Sequence, residues 1–279
     1  GVGQPVPGPW GRHRTAPGGT QVASAAMGGD AGLDLALRCS DAAADLALTY
    51  FEQGVEASTK ADGTPVTDAD LAVEHLLRQM LDADAPGDAL LGEEFGQLGD
   101  SERLWILDPI DGTSFFSRND PNWRVHVALE VAGTTAVAVV TAPALGFQWW
   151  ATRGGGAFET SWPRVGNARR LRVSRTASLE GSLLDALDSE SRGRLPPEAT
   201  LAPPSPLALV GLVRGQIDGF LAECCHVWDH APWILLVEEA GGRFTDRAGG
   251  RRGDQGGGLY SNANVHTQLL ERVGYPAHP

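Results

Sequence analysis

Lysine is nearly missing from this chain. Lys60 is the one lysine among 22 basic residues, set against 35 acidic ones, and the formal net charge is −13. That balance excludes a nucleic-acid polymer as partner, since such a partner needs a basic face. Cysteine is scarce as well. Cys39, Cys224 and Cys225 form neither a disulfide framework nor a thiolate metal site, and the adjacent pair reads as packing rather than redox chemistry. A reducing cytoplasm fits that usage best. No apolar run reaches the roughly eighteen residues of a membrane-spanning helix, so a membrane span is excluded.

What is present suffices for a large core. A chain of 279 residues, 42% of them hydrophobic, makes one large domain or two closely packed ones without help from disulfides. Residues 1–29 are Gly-, Pro- and Ala-rich, with no hydrophobic period and no apolar segment of the secretory kind. They are expected to form a disordered leader, with Met27 an alternative start.

The apolar spacing predicts a first helix over residues 30–53, marked by Leu33, Leu37, Leu48 and Phe51. A turn-rich loop or short hairpin follows over 60–66. Thr67 then caps a second helix that ends at Pro86-Gly87, with Asp70 placed for a capping box. The run LWIL, 104–107, is a short buried strand opening into a loop, DPIDGT. Residues 125–131 and 135–142 make a hairpin through Gly133, and strands continue over 147–151 and 156–158. Further on, a helix near Pro206, a strand over 217–222, and helices over 229–240 and 265–273 are the clearest. Residues 185–206, rich in Pro and Ser, are expected to loop over the surface.

Four segments carry carboxylates where local structure exposes them: VTDAD (Asp68, Asp70), GEEFG (Glu93, Glu94), LDPIDGT (Asp108, Asp111) and VWDHAP (Asp229). In the third, Asp108 ends a strand, Pro109 stiffens the turn and Gly112 permits a tight bend. Two carboxylates and the Ile110 carbonyl can then converge on a hard cation. The amides of Gly112, Thr113 and Ser114, opening a helical turn, would point at an anion such as phosphate. Taken singly each segment is ordinary. An acid in a turn is usually only solvated, Asp229 reads equally as a helix cap, and Asp68 as support for the turn before its helix.

Together, in order and spacing, these segments and the trailing EEAGG resemble the inositol monophosphatase superfamily over residues 60–242. The resemblance implies a magnesium-dependent phosphatase with two or three Mg²⁺ ions. Glu93, Asp108 and the Ile110 carbonyl would hold the first, and Asp108, Asp111 and Asp229 the second. Asp68 and Thr113 would orient the attacking water, with Glu93 counted among the catalytic groups. Gly112, Thr113 and Ser114 would receive the phosphate, Glu223 would contact substrate, and Lys60 matches a basic residue of a mobile loop. The implied fold is the layered α-β-α-β-α sugar-phosphatase fold, with an N-terminal α+β half (30–150) and a C-terminal α/β half (151–279) supplying Asp229. A small phosphorylated metabolite is the expected partner, and a homodimer is in keeping with relatives.

Within the superfamily, TPVTDAD, PGDALLGEEFG and WWATRGGGAF look most like bacterial histidinol-phosphate phosphatases, which makes histidinol phosphate the leading substrate. Inositol 1-phosphate, a 3′-phosphonucleotide and an intermediate of a specialised pathway are rivals, as is a catalytically silent regulatory protein of the same fold. Departures from the family pattern gather where substrates bind. Phe115-Phe116 replaces an Asn-Phe pair, NDPNWR (119–124) lacks a Gly-x-Pro character, and PPSPLA stands for an Arg-then-Gly-Ser/Thr segment. Glu223 also sits one residue nearer Asp229 than the family's substrate-contacting acid. Four readings stay beside these. His230 is expected on a pocket wall or helix surface rather than on metal, and Trp149-Trp150 in strand packing rather than as a stacking platform. Glu94 is either a supporting group or a solvated neighbour. Phe115 and Phe116 are either core or one of them borders the pocket.

Overall fold

A computed structural model describes residues 21–276 apart from positions 62 and 224, and for residues 21–31 the backbone only. The expected leader lies outside the described residues as far as position 20. The rest of it belongs to the first helix, which starts earlier than the apolar spacing suggests.

That helix, α1 (Gln21–Gln53), leads to a small hairpin, β1 (Ser58–Thr59) and β2 (Pro65–Val66), and then to α2 (Asp68–Asp84). There follow β3 (Ala89–Gly92), β4 (Gly96–Leu98), β5 (Arg103–Asp111), the short α3 (Thr113–Phe116), β6 (Arg124–Val131) and β7 (Thr134–Ala142). Next are β8 (Phe147–Thr152), β9 (Gly156–Ser161) and β10 (Arg169–Arg170). The remainder runs β11 (Leu183–Ala186), α4 (Ser189–Gly193), β12 (Thr200–Leu201), α5 (Ala208–Val213) and β13 (Gly219–Glu223). It closes with α6 (Val227–Glu239), β14 (Gly242–Asp246), β15 (Gly257–Asn262) and α7 (His266–Val273).

Strands β3 to β10 form one eight-stranded sheet in the order β10-β9-β8-β7-β6-β5-β3-β4, antiparallel except where β3 meets β5. A second sheet has the order β12-β11-β13-β15-β14. Period-two alternation sends Trp105, Leu107, Val127 and Val139 to one face of the large sheet, against Ala36, Cys39 and Ala43 of α1 and Leu77 of α2. Their neighbours Ala138, Val140 and Trp149 face the other way, onto Trp233 and Leu236 of α6, with Phe220, Phe244 and Tyr260 of the second sheet beyond. Helix α7 covers the far side through Leu269 and Val273 against Leu184 and Leu259. The result is an α-β-α-β-α layering, as the resemblance implies. Both faces of the large sheet are covered, which is why β6 and β7 read as nearly unbroken apolar runs.

Several local expectations change. DPID is not a loop: β5 continues to Asp111, and its register on β6 shifts between Asp108 and Asp111, as at a β-bulge. Residues 185–206 are not a surface loop. They build β11, α4 and β12, held by the buried Asp185 carboxylate, which accepts from Arg192 Nη1 (2.6 Å) and the Ser205 amide (3.1 Å). The Pro and Ser content hid a strand of four residues. His230 is neither pocket wall nor helix surface. Helix α6 is sandwiched between two sheets, so His230 is buried beside Phe244 and hydrogen-bonds Tyr260 Oη at 2.5 Å. Trp149 is fully buried and donates Nε1–H to Glu159 at 2.7 Å, as strand packing requires.

Phe116 is core, its ring centroid 5.4 Å from that of Phe51 and 4.8 Å from that of Trp123. This cluster sits directly under the Gly112–Thr113 turn. Phe116→Ala is therefore expected to lower stability by ~3–5 kcal/mol in urea denaturation. A loss well under 1 kcal/mol would mean that the cluster does not support the turn.

Candidate active site

The β5–β6 register builds the site. Asp108 stands opposite His126, and beyond the shift Asp111 stands opposite Arg124. The chain then turns at Gly112, whose φ of +88° favours glycine; a Cβ there would also lie 3.2 Å from both the Asn122 carbonyl and the Phe115 ring. Helix α6 delivers Asp229 from its first turn. Asp108, Asp111 and Asp229 each present an oxygen, and the three lie within 4.8 Å of one another.

Asp108 is 1% exposed. Its Oδ1 accepts the Ile110 amide at 3.1 Å, while Oδ2 has no hydrogen-bond partner. Burial first, and then the charges of Glu93, Asp111 and Asp229, push its carboxyl well above the usual range. Burial and then Asp111 raise Asp229 to about 7, although the His226 amide donates to it at 2.6 Å. It thus caps its helix and faces the cluster at once. A buried carboxylate oxygen with no donor, amid like charges, fits a hard cation: the three clustered aspartates offer oxygen atoms.

The carboxylate that meets Thr113 is Asp70, not Asp68. Thr67 caps α2 in a capping box, donating its amide (2.8 Å) and hydroxyl (2.6 Å) to Asp70 Oδ2. That bends the third helical position back into the protein, where Asp70 Oδ1 accepts the Thr113 hydroxyl at 3.0 Å. Asp68, at the first position, is exposed. Thr113 Oγ1 also lies 3.1 Å from the Ile110 carbonyl, so the hydroxyl joins both halves of the acidic group. Burial raises the Asp70 pKa.

Glu93 lies outside the close triad but is near enough for its charge to act on Asp108. Lys60 Nζ bridges Glu93 (2.8 Å) and Glu94 (2.6 Å), so Glu94 is not merely solvated. The turn carrying both is fixed from below by the fully buried Glu74, which accepts the Glu94 amide at 2.7 Å and the Phe95 amide at 3.2 Å. Gly92 is required there, because a Cβ would come within 2.0 Å of the Glu74 carboxylate.

Glu223 is engaged by residues outside the acidic cluster. It is buried at the end of β13, pairs with Arg194 and accepts the Tyr275 hydroxyl at 2.7 Å. Ser114 is half-buried in the first turn of α3. Phe115 is half-buried too, with the Arg118 guanidinium 5.6 Å above its ring.

Sequence reading saw Asp70 only as a capping residue, and missed Glu74, Arg124 and His126. Arg124 donates Nε–H to Asp111 Oδ2 at 2.7 Å and Nη1–H to the Pro206 carbonyl at 2.7 Å. His126 lies two residues on along the same face, with Nε2 3.4 Å from Asp111 Oδ2 and Nδ1 3.3 Å from the Trp228 carbonyl. That carbonyl has no helical donor four residues on, because position 232 is proline. Basic residues in a strand facing an acidic turn were the signal available for this pair.

A model of the inositol monophosphatase family matches residues 32–274. The chain belongs to the inositol monophosphatase family. With that family, it is a phosphoric monoester hydrolase. A histidinol-phosphatase of Mycobacterium tuberculosis is 39% identical to it over 256 residues, 86% of this chain and 97% of that one. A Streptomyces griseus protein named glucose-1-phosphate thymidylyltransferase is 40% identical over 228 residues, 78% of this chain and 86% of that one. Among solved structures, an extragenic suppressor protein suhB from Bartonella henselae superposes with a TM-score of 0.75 at 27% identity, covering 87% of this chain and 98% of that one. Among the described residues no helix is long and apolar enough to cross a membrane.

The raised Asp229 pKa sets a pH dependence. Free of metal, the folded state holds a proton on Asp229 up to about pH 7, whereas the unfolded chain releases it near pH 4. The folded state binds more protons in that window, so this group lowers stability as pH rises from about 4 to about 7. In chelator the melting temperature is expected to fall across that window, and Asp229→Asn to flatten the fall. An unchanged slope in Asp229→Asn would show that Asp229 does not carry the effect.

Proposed function

We propose that this chain hydrolyses a small phosphomonoester with Mg²⁺ as its cation, histidinol phosphate being the leading substrate. The observation that carries the reading is the unpartnered, buried Asp108 Oδ2 beside Asp229. Asp108, Asp229, Glu93 and the Ile110 carbonyl would hold the ion. The chemistry a divalent cation supplies there is neutralisation of the phosphoryl oxygens and easier deprotonation of water.

The chain's own groups do the rest. Thr113 Oγ1, fixed between Asp70 and the Ile110 carbonyl, positions a water for in-line attack. Its proton passes through the hydroxyl to Asp70, whose burial suits it to accept one. The water oxygen bonds to phosphorus as the ester P–O bond breaks, and the departing alkoxide takes a proton from solvent. The amides of Gly112 and Thr113 would donate to the phosphoryl oxygens. Lys60, by holding Glu93 and Glu94, keeps the second acidic turn near the substrate's edge. The cysteine usage favours a cytoplasmic enzyme.

Turnover is expected to vanish in excess chelator, return with Mg²⁺ and fall on adding Ca²⁺, which favours more ligands and a less regular geometry. Asp70→Asn is expected to lower kcat by ~10²–10⁴ while KM changes little. Full activity in chelator would refute the metal reading, and a near-normal Asp70→Asn the proton path.

The histidinol-phosphatase relative supports the substrate, and Phe115 beside Gly112 adds an apolar ring near the phosphate turn. A cyclitol pressed against that ring would lose hydrogen bonds at ~1–3 kcal/mol per group. Release of phosphate from histidinol phosphate is therefore expected to exceed that from inositol 1-phosphate by about tenfold or more in kcat/KM. A 3′-phosphonucleoside and glucose 1-phosphate complete the panel, the latter because of the Streptomyces relative's name. Preference for the cyclitol would overturn this reading of the pocket.

A further inference from the structure

We propose that Arg124 is a built-in cation of the acidic cluster: it occupies Asp111 in place of a metal ion, so the chain binds one divalent ion fewer than its carboxylates would otherwise hold. The inference rests on the metal reading above and deepens it.

The carboxylates of the cluster are not equivalent. Asp108 Oδ2 has no partner. Asp111 Oδ2, by contrast, takes Arg124 Nε at 2.7 Å and also pairs with Nη2 of the same guanidinium. Both donors converge on that one oxygen in charge-assisted contacts, and a guanidinium keeps its charge at any working pH.

Arg124 is also clamped. Cross-strand pairing puts its backbone directly opposite Asp111, and the residue is 9% exposed. Its third donor, Nη1, holds the Pro206 carbonyl at 2.7 Å. That carbonyl belongs to a segment tied down in turn by the Ser205 amide on Asp185 (3.1 Å) and the Ala202 amide on the Leu184 carbonyl (2.7 Å). An ion arriving at Asp111 Oδ2 would have to break both contacts and leave a buried guanidinium without its counter-charge. Lys60 differs: it reaches Glu93 and Glu94 from a turn in which residues 59 and 61 are exposed. The two segments that meet at Arg124 and Pro206, NDPNWR and PPSPLA, are ones in which this sequence departs from the family pattern.

The test counts ions rather than turnover. Mn²⁺ bound by the full chain is measured by equilibrium dialysis, with free Mn²⁺ read by electron paramagnetic resonance. Arg124→Ala is expected to bind one more ion than the unaltered chain. Arg124→Gln, which retains a donor for Pro206 but no charge, is expected to do the same and serves if the alanine variant fails to fold. Asp111→Asn alone is expected to leave the count unchanged, and Arg124→Gln combined with Asp111→Asn to return it to the starting value. Equal counts for the unaltered chain and both Arg124 variants would overturn the proposal, as would loss of an ion in Asp111→Asn alone. Because no arm depends on catalysis, an inactive enzyme that still gains an ion would sink the phosphatase reading and leave this one standing.

Discussion

Everything in this molecule bends around one unfavourable fact, a carboxylate at Asp108 sealed from water with an oxygen that nothing donates to. Left alone, such a group protonates or destabilises the fold. Around it stand further carboxylates, each supported differently. Asp70 is wrapped by a helix cap, Asp229 by a helix-terminal amide, Glu93 by a lysine and Asp111 by an arginine. Asp108 alone keeps its demand for a positive charge, and that demand makes the centre of the cluster selective for a cation.

The layers hold these groups still. β5 lies inside the large sheet between β6 and β3, buried on both faces, so Asp108 sits in a strand that cannot shift sideways. α1 and α2 press on one face and α6 on the other. The same packing sets the direction of each acid. A cap at Thr67 turns Asp70 inward, and a proline in α6 frees a carbonyl that holds His126 in place. Catalytic geometry here is inherited from core geometry, with few degrees of freedom left to individual side chains.

The clustered acids were legible because each sits in a short motif with its own turn chemistry: Pro109 and Gly112 around Asp108 and Asp111, and a helix start at Asp229. Long periodic stretches such as α1, α2 and the β6–β7 hairpin were legible for the same reason, since their spacing is local. Asp70 was read only as the acid of a capping box, and spacing along the chain did not reveal that its other oxygen would meet Thr113. Arg124 and His126 escaped notice because their importance comes from strand register, which depends on a shift at Pro109 that no single segment encodes. Glu223 misled because its strand points it into a different charge cluster, with Arg194 and Tyr275. The strands in 183–201 were too short for any periodic signal.

Pro232 has a consequence that reaches beyond its own helix. A backbone carbonyl can only accept, so the Nδ1 of His126 that meets the Trp228 carbonyl must carry the ring's hydrogen. Burial lowers the His126 pKa to about 4, so at neutral pH the ring holds that one hydrogen and no other. Its Nε2 then turns a lone pair, not an N–H, toward the acids. The missing amide hydrogen of a proline in one layer thereby fixes the tautomer of an imidazole in the next, and makes that imidazole one more electron-pair donor facing a site already crowded with them.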